Sequence, residues 1–202
     1  MPRLVDSEAR RRDLAECALA IAESDGLEAV TVAHVARRAG VSVGHVQHWY
    51  PAKENLLIAT YSAALARSTD RIDDLVTTGE SRGATIRDML GAALAELLPT
   101  DETRRGEARV RAQFHSRSVT DARFADTERA AMRLLARRIA TALANGYECG
   151  ETAAGVDPDR AASELLALAT GLATLSLTDD HPAEELITAR LAELLPHRCR
   201  RR

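Results

Sequence analysis

Apolar positions recur along this chain at the spacing of helices. The first stripe falls on one face of a helix, with positions i, i+3, i+4, i+7 and i+8 occupied by Leu14, Cys17, Ala18, Ile21 and Ala22. We expect this helix to cover about residues 7–24. Asp25-Gly26 is expected to end it, because Gly adopts the left-handed conformation of a helix cap without strain. No alternation typical of a strand persists anywhere in the sequence.

Two short helices are predicted next. An apolar stripe of two turns follows Thr31, whose hydroxyl can cap the helix, at Val32, Val35, Ala36 and Ala39. Gly40 stops this helix, and Val41 is expected to fill the corner. Ser42 can then cap a third helix over residues 43–50, before Pro51 breaks the chain.

The remaining sequence predicts a long helix over about residues 52–76 and five further helices. Their patterns lie near residues 84–98, 102–119, 121–145, 158–177 and 182–195. Pro158 and Pro182 suit the first position of a helix. The predicted fold is therefore all-α with about nine helices, in which a three-helix unit at residues 1–51 is joined by the long helix to a helical bundle within residues 52–202.

Composition places the chain among ordinary globular proteins, with 46% hydrophobic and 28% charged residues. No run of about 18 apolar residues predicts a membrane span, and the N-terminus lacks the apolar core of a signal peptide. The three cysteines are widely spaced and match no metal-binding pattern. Reduced thiols and a cytoplasmic location are the expectation, with no metal and no cofactor.

Charge gives no general sign of nucleic-acid binding, because the net charge of the 202 residues is -3. Any contact with DNA would have to depend on basic groups gathered on one face. Lys53 is the only lysine in a chain that otherwise uses arginine.

The segment "TVAHVARRAGVSVGHVQHWY" has the pattern of a helix-turn-helix, in which two short helices are joined by a turn containing Gly. An apolar contact braces the second helix, leaving one of its faces available for the major groove of DNA. The residues expected to face outward are Val43, Gly44, His45, Gln47, His48 and Trp49. Gln can pair with adenine edges, and His can bond to bases or phosphates. Trp49 could contact a phosphate through its indole N–H or pack against the fourth helix, whereas Tyr50 is expected in the core.

Residues 6–57 resemble the tetracycline-repressor (TetR) family of bacterial transcription regulators. The resemblance rests on "GLEAVTVAHVARRAGVS", the pair Trp49-Tyr50 and "PAKENLL". It implies that four positions face DNA bases, namely Val43, Gly44, His45 and Gln47. It implies that the positions meeting phosphates are His48, Trp49, Lys53 and Thr31, the last at a helix N-terminus.

The sequence departs from the family pattern in three places. Gln47 stands where members often have Tyr, Tyr50 where they often have Phe, and Ala52 where they often have a capping Ser. Without that hydroxyl, the first amides of the long helix are expected to lack a side-chain cap, and a DNA phosphate could satisfy them instead.

For the rest of the chain, the resemblance implies an effector-binding and dimerisation domain. The last two helices would pack against the same helices of a second chain. The apolar residues expected at this interface are Leu165, Leu168, Ala169, Leu172, Leu191 and Leu194. The alternative is that each of these residues packs within its own subunit. An unidentified small molecule would bind near Arg111, Phe114 and His115, although a solvated helix face is the favoured interpretation for the arginine.

The resulting expectation is a homodimeric repressor, with a palindromic DNA operator and a small-molecule effector as its partners and with no membrane partner. An activator of the same family and a helical adaptor that binds protein are the alternatives. An enzyme is disfavoured, because the sequence contains no Gly-rich phosphate loop, no Cys/His metal spacing and no nucleophile elbow.

Overall fold

The structure is a computed structural model that describes the backbone of residues 2–199 and the side chains of residues 8–199. This part of the chain forms nine α-helices and one 3-10 turn and contains no strand, which confirms the predicted all-α class. The helices are α1 Pro2–Asp25, α2 Val32–Ala39, α3 Val43–Trp49, α4 Lys53–Ser81, α5 Ile86–Ala95, α6 Glu102–Thr120, α7 Ala122–Cys149, α8 Pro158–Leu175 and α9 Ala183–Leu194. None of these helices is long and apolar enough to cross a membrane.

The chain packs into two compact units. Unit 1 contains the chain up to Arg67 together with Arg109–Glu128, and unit 2 contains Ser68–Ala108 together with the chain from Arg129 onward. The helices α4, α6 and α7 therefore each contribute residues to both units. This division by packing differs from the functional domains predicted at residues 1–51 and 52–202, which stay a prediction.

Unit 1 is centred on an aromatic cluster and on aliphatic side chains of α1 and α4. The rings of Tyr61 and Phe114 stack with centroids 3.9 Å apart and planes at 3°. Phe124 meets Phe114 edge-on at 5.2 Å. All three rings are fully buried, as are Leu19 and Leu56. This packing of α4 against α6 and α7 explains why residues 109–128 belong to unit 1.

Unit 2 has a core of leucine and alanine from α5, α7, α8 and α9. A buried polar network lies beside it. The guanidinium of Arg71 donates two hydrogen bonds to Glu107, at 3.0 and 2.7 Å, and one to Glu96 at 2.6 Å. Hydrogen bonding to Glu107 raises the pKa of Arg71 above its ordinary value. Since Glu107 is completely buried, this pairing is what allows its charge inside the unit.

The long helix α4 extends to Ser81, beyond the predicted end near residue 76. The sequence "TTGESRG" suggested a stop, but Gly79 lies within the helix. A Cβ at Gly79 would lie 2.7 Å from Cγ of Met89, so the absence of a side chain lets Met89 of α5 pack closely against α4. Here Gly serves a close approach between helices and does not end one.

Candidate functional site

The helix-turn-helix is formed by α2 and α3, and its caps are those that the sequence predicted. Oγ1 of Thr31 accepts the backbone N–H of His34 at 3.1 Å, and Oγ of Ser42 accepts that of His45 at 3.1 Å. Between the helices Gly40 takes a left-handed conformation with φ 67°. The N–H of Val41 then bonds back to the carbonyl of Ala36 at 3.0 Å. These bonds fix the turn between the two helices.

Side chains of α3 divide between a buried and an exposed face. Val46 is fully buried with Val35 and Ala36 of α2. The exposed residues of α3 are Val43, Gly44, Gln47 and His48, while His45 is half-buried. These exposed positions follow the i, i+1, i+4, i+5 spacing of one helical face. A Cβ at Gly44 would meet no atom within 4 Å, so this position is open to an approaching partner.

Trp49 lies at the end of α3 and is half-buried. Its indole N–H is buried and has no hydrogen-bond partner among the described residues. The ring of His48 meets it edge-on, with centroids 4.9 Å apart. In this arrangement the indole N–H is not presented to a phosphate, and the role of Trp49 at DNA stays a prediction.

Tyr50 closes unit 1 from the end of α3, as the sequence predicted. It is buried, and its hydroxyl donates to the backbone carbonyl of Arg11 in α1 at 2.9 Å. Burial raises the pKa of the Tyr50 hydroxyl above its ordinary value, and Arg11 partly offsets this rise. The hydroxyl, which the family often lacks here, thus ties α3 to α1.

Lys53 begins α4 and is paired within its own unit. Its Nζ lies 3.3 Å from Oε2 of Glu28 and 3.4 Å from the Glu28 backbone carbonyl. The other carboxylate oxygen of Glu28 accepts a hydrogen bond from Arg117 of α6. One exposed carboxylate therefore neutralises two basic groups of unit 1. The sequence did not single out Glu28, because 25 and 89 residues separate it from these partners.

The start of α4 has a side-chain contact that the sequence analysis missed. Oδ1 of Asn55 accepts the backbone N–H of Ala52 at 3.2 Å. This bond reaches back from the first turn, as one half of a capping box does. This bond uses only the N–H of Ala52. The backbone N–H groups of the first turn of α4 therefore stay candidates for a phosphate contact.

Side chains of α6 hold the end of α1 and the turn that follows it. Oε1 of Gln113 accepts the backbone N–H of Leu27 at 2.7 Å. The guanidinium of Arg109 donates to the carbonyl of Glu23 at 3.1 Å. From α4, Arg67 forms ion pairs with Glu16 and Glu23. No periodicity in the sequence predicts these contacts, since each joins residues more than 40 positions apart.

The three predicted effector contacts lie in unit 1. Phe114 belongs to the aromatic cluster, and exposed His115 places Nδ1 3.0 Å from Oε1 of the buried Glu128. Burial, and after it the neighbouring Glu128, raises the pKa of the Tyr61 hydroxyl above its ordinary value. Arg111 is half-buried, and neither it nor Phe114 or His115 lines the three main clefts of unit 2. Their role as effector contacts stays a prediction.

Unit 2 contains a cleft of about 480 Å³ between α4, α5 and α7. Its apolar wall includes Ile72, Met89, Leu90, Leu94, Leu135 and Ile139. Its polar lining includes Glu80, Arg137, Arg138, Thr141 and Asn145. A largely apolar cleft of this size with a few polar groups is typical of a small-molecule site.

The predicted dimer residues require a correction. Five of the six are buried in the core of their own chain, namely Leu165, Ala169, Leu172, Leu191 and Leu194. Leu168 is half-buried and packs against the same core. These residues of α8 and α9 thus belong to a core that they share with α5 and α7 of the same chain, which agrees with the alternative of a seam inside one subunit. Leu175 and Leu186 are the large apolar residues that α8 and α9 expose, at 52% and 45%.

A helix-turn-helix with an exposed polar face, in a chain that also carries an apolar cleft, defines the class of helix-turn-helix transcriptional regulators. Residues 86–200 match the sequence family described as BetI-type transcriptional repressor, C-terminal, and residues 15–60 match bacterial regulatory proteins, tetR family. The chain belongs to the TetR family of transcriptional regulators. The matched families contain regulators and not enzymes.

Curated relatives match part of the chain. It is 28% identical over 102 residues to the HTH-type transcriptional regulator PksA of Bacillus subtilis (strain 168), covering 50% of this chain and 48% of PksA. It is 39% identical over 70 residues to the HTH-type transcriptional regulator BetI of Rhizobium meliloti (strain 1021), covering 35% of this chain and 34% of BetI. The chain thus spans about half of PksA and about a third of BetI.

Solved structures match over nearly the whole length. A transcriptional regulator from Rhodococcus sp. Rha1 has a TM-score of 0.77 and 26% identity, over 92% of this chain and 96% of that one. A putative transcriptional regulator from Saccharomonospora viridis, solved in complex with choline, has a TM-score of 0.76 and 25% identity, over 95% and 97%.

Proposed function

We propose that this chain is a ligand-responsive repressor that binds a palindromic DNA operator as a homodimer and is released by a small molecule. The observation that carries the proposal is the exposed polar face of α3, which is braced from behind by α2. A face of this kind can enter the major groove of DNA. The buried helices of unit 1 hold it rigidly, as a reading element requires.

Within this proposal, α3 reads the bases and residues around it position the protein on the backbone. Gln47 would bond to a base edge, while Val43, Gly44 and His45 approach the groove. The phosphate contacts would be made by Thr31, His48 and Lys53. Trp49 would support His48 from behind. Lys53 would exchange the carboxylate of Glu28 for a phosphate when DNA binds.

The second copy would pack against the exposed face of α8 and α9. This face presents Leu186 of α9 and Leu175 of α8, the latter in one row of α8 with the small, exposed Ala167 and Gly171. An ion pair between Arg190 and Glu164 at 2.7 Å crosses the same surface between the helices. Small residues allow helices to approach closely, and the leucines add apolar area. Two α3 helices about 34–36 Å apart would then match successive half-sites of an operator.

The effector would occupy the cleft of unit 2. The Saccharomonospora viridis relative holds choline, and a quaternary ammonium group is usually bound by a cage of aromatic rings. The residues that line the cleft include no aromatic ring. They include Arg137 and Arg138, of which Arg138 forms an ion pair with Asp73. The effector that fits is therefore an apolar molecule with an anionic or hydrogen-bond-accepting end.

The protein has one arrangement that fits DNA and another that does not. The effector causes release if it binds the second arrangement more tightly than the first. The helix α4 carries residues of both units and begins at Lys53. A tilt of α4 on ligand binding would change the spacing of the two reading helices in the dimer, so that they no longer match their half-sites.

The test is fluorescence anisotropy with a labelled duplex taken from the region upstream of the gene for this chain. We expect sequence-selective binding that weakens steeply as salt rises, because DNA binding releases counterions. Long-chain carboxylates, added as trial effectors, should release the duplex. Binding to no duplex at low ionic strength would overturn the regulator proposal, whereas binding without release would overturn only the effector class.

A further inference from the structure

Three metal-ligating side chains meet at the end of α7. Cys149 is the last residue of that helix, Glu151 follows it after a tight turn, and Cys199 lies in the C-terminal segment after α9. Their two sulfur atoms and a carboxylate oxygen all lie within 4.8 Å of one another. No metal pattern is visible in the sequence, because 50 positions separate the two cysteines and only the fold of unit 2 brings them together.

Glu151 has an unusual environment for a carboxylate. Its residue exposure is 1%. Its Oε2 accepts the backbone N–H of Arg87 at 3.3 Å, and its Oε1 accepts the thiol of Cys149 at 3.5 Å. No ion pair joins it to a cationic side chain among the described residues. Burying a carboxylate without an ion pair is costly, and a bound cation would reduce that cost.

We propose that Cys149, Glu151 and Cys199 bind a zinc ion through two thiolate sulfurs and one carboxylate oxygen. Sulfur ligands favour zinc and other thiophilic metals over magnesium or calcium, which take oxygen ligands. Zinc binds sulfur at about 2.3 Å, so two sulfurs of a tetrahedral site lie about 3.8 Å apart. The ligand atoms lie within 4.8 Å of one another. The distance between the two sulfurs therefore needs to shorten by about 1 Å or less to reach this value.

The fourth coordination position would be taken by a water molecule or another small ligand. A cleft of about 390 Å³ opens beside Cys199, and its lining includes Thr85, Arg87, Asp88 and Arg198. This cleft gives the ion a path from solvent to the cysteine. Three protein ligands with an open fourth position form a known type of zinc site.

The ion would fasten the C-terminal segment to the end of α7. Two backbone hydrogen bonds connect these segments, from the N–H of His197 to the carbonyl of Glu151 at 3.4 Å and from the N–H of Ala153 to that of Leu194 at 2.9 Å. The bond at 3.4 Å is long. Coordination by Cys199 on one side and by Cys149 and Glu151 on the other would add a stronger link. This role is independent of DNA binding.

A disulfide is the competing use of the same two thiols. Burial raises the pKa of the Cys149 thiol to about 11, so little of the thiolate that reacts with peroxides is present at neutral pH. A metal can still displace the proton, because coordination stabilises the thiolate directly.

Zinc binding can be measured on the full chain after reduction with a phosphine, in competition with a chromophoric chelator. We expect one zinc per chain, with affinity lowered roughly tenfold or more in Cys149→Ser, Cys199→Ser and Glu151→Gln. Cys17→Ser is the matched control, because this third free cysteine lies in unit 1, and it should bind zinc as the parent does. Circular dichroism of each variant checks its fold.

Cobalt substitution of the unaltered chain gives a second readout that needs no variant. The thiolate-to-cobalt absorption should have the intensity of two thiolates, and the visible bands should be those of a tetrahedral ion. The proposal is overturned if the reduced chain binds no zinc at one equivalent, if cobalt reports fewer than two thiolates, or if Cys17→Ser loses binding as much as the other serine variants.

Discussion

The ammonium group of Lys53 lies 3.3 Å from a carboxylate oxygen of Glu28, the same side chain that accepts a hydrogen bond from Arg117. The lysine that the family resemblance assigns to a DNA phosphate is thus occupied by an acid of its own unit. The Glu28 side chain is 75% exposed, and an exposed pair of this kind contributes at most about 1 kcal/mol. A phosphate can therefore compete with it.

Replacing Lys53 by Ala is expected to weaken binding to every duplex while leaving the order of preference among them unchanged. A phosphate contact carries no base information, and its loss should reduce the slope of log K against log salt by about 1. Anisotropy titrations at several salt concentrations measure both quantities. A loss confined to sequence preference would contradict the phosphate role.

Glu28→Gln removes the acidic partner of the same ion pair and is expected to have the opposite effect on DNA affinity. Removing the competing carboxylate should tighten binding to all duplexes by up to about fivefold, the equivalent of the 1 kcal/mol expected for an exposed pair. In a background that already carries Lys53→Ala, Glu28→Gln should give little of this increase in DNA affinity, because the lysine that it would release is absent. If Glu28→Gln weakens binding instead, the carboxylate serves to position Lys53 and does not compete with DNA.

Gln47→Ala is expected to relax sequence preference with little effect on stability, because Gln47 is an exposed residue on the outer face of α3. A bidentate contact to a base edge accounts for about 1–3 kcal/mol of discrimination. Binding to a randomised operator library, followed by sequencing, measures the preference at each position. Equal preference in parent and variant would remove Gln47 from the reading set.

Two leucines of α8 separate chain stability from dimerisation. Leu172→Ala should lower the free energy of unfolding by about 2–5 kcal/mol, because its side chain is buried in the core of unit 2. Leu175→Glu should leave the folded chain intact but shift it toward monomer, as measured by light scattering. Leu134→Glu is the control, since Leu134 is similarly exposed at 49% but lies on α7. A dimer unaffected by Leu175→Glu would place the interface elsewhere.

Ala93→Trp is expected to give a protein that binds DNA but no longer responds to effector. Ala93 lines the cleft of unit 2, and an indole there would fill the space a ligand needs. Effector titrations on the preformed DNA complex measure the response, and binding without effector provides the control. Normal release by a ligand that fits the cleft would show that the effector binds somewhere else.

Much of unit 1 was predictable, because its signals are local. Thr31, Gly40 and Ser42 act within one helical turn of their own positions, so the caps and the turn could be recognised from neighbouring residues. Four of the six positions expected on the outer face of α3 are exposed, while His45 and Trp49 are half-buried. Trp49 could not be assigned, since the burial of its indole N–H depends on other helices.

The ligand and dimer residues were harder to predict for a physical reason. An apolar stripe on α8 predicts that one face of the helix is buried. It does not indicate whether that face packs into the core of its own chain or against a second chain. Leu165 and Leu172 carry the same signal in either case. Phe114 beside a His suggested a pocket; its ring is stacked on Tyr61, and its role as an effector contact stays a prediction.

By itself the sequence determined the order of the helices, the caps of α2 and α3 and most of the polar face of α3, because hydrogen bonds and side-chain spacing within a few residues govern each of these. Only the tertiary structure decided that Glu28 pairs with Lys53, that the cleft lies among α4, α5 and α7, and that Cys149 meets Cys199. Each of these arrangements joins positions far apart in the chain, and their distance depends on how whole helices pack.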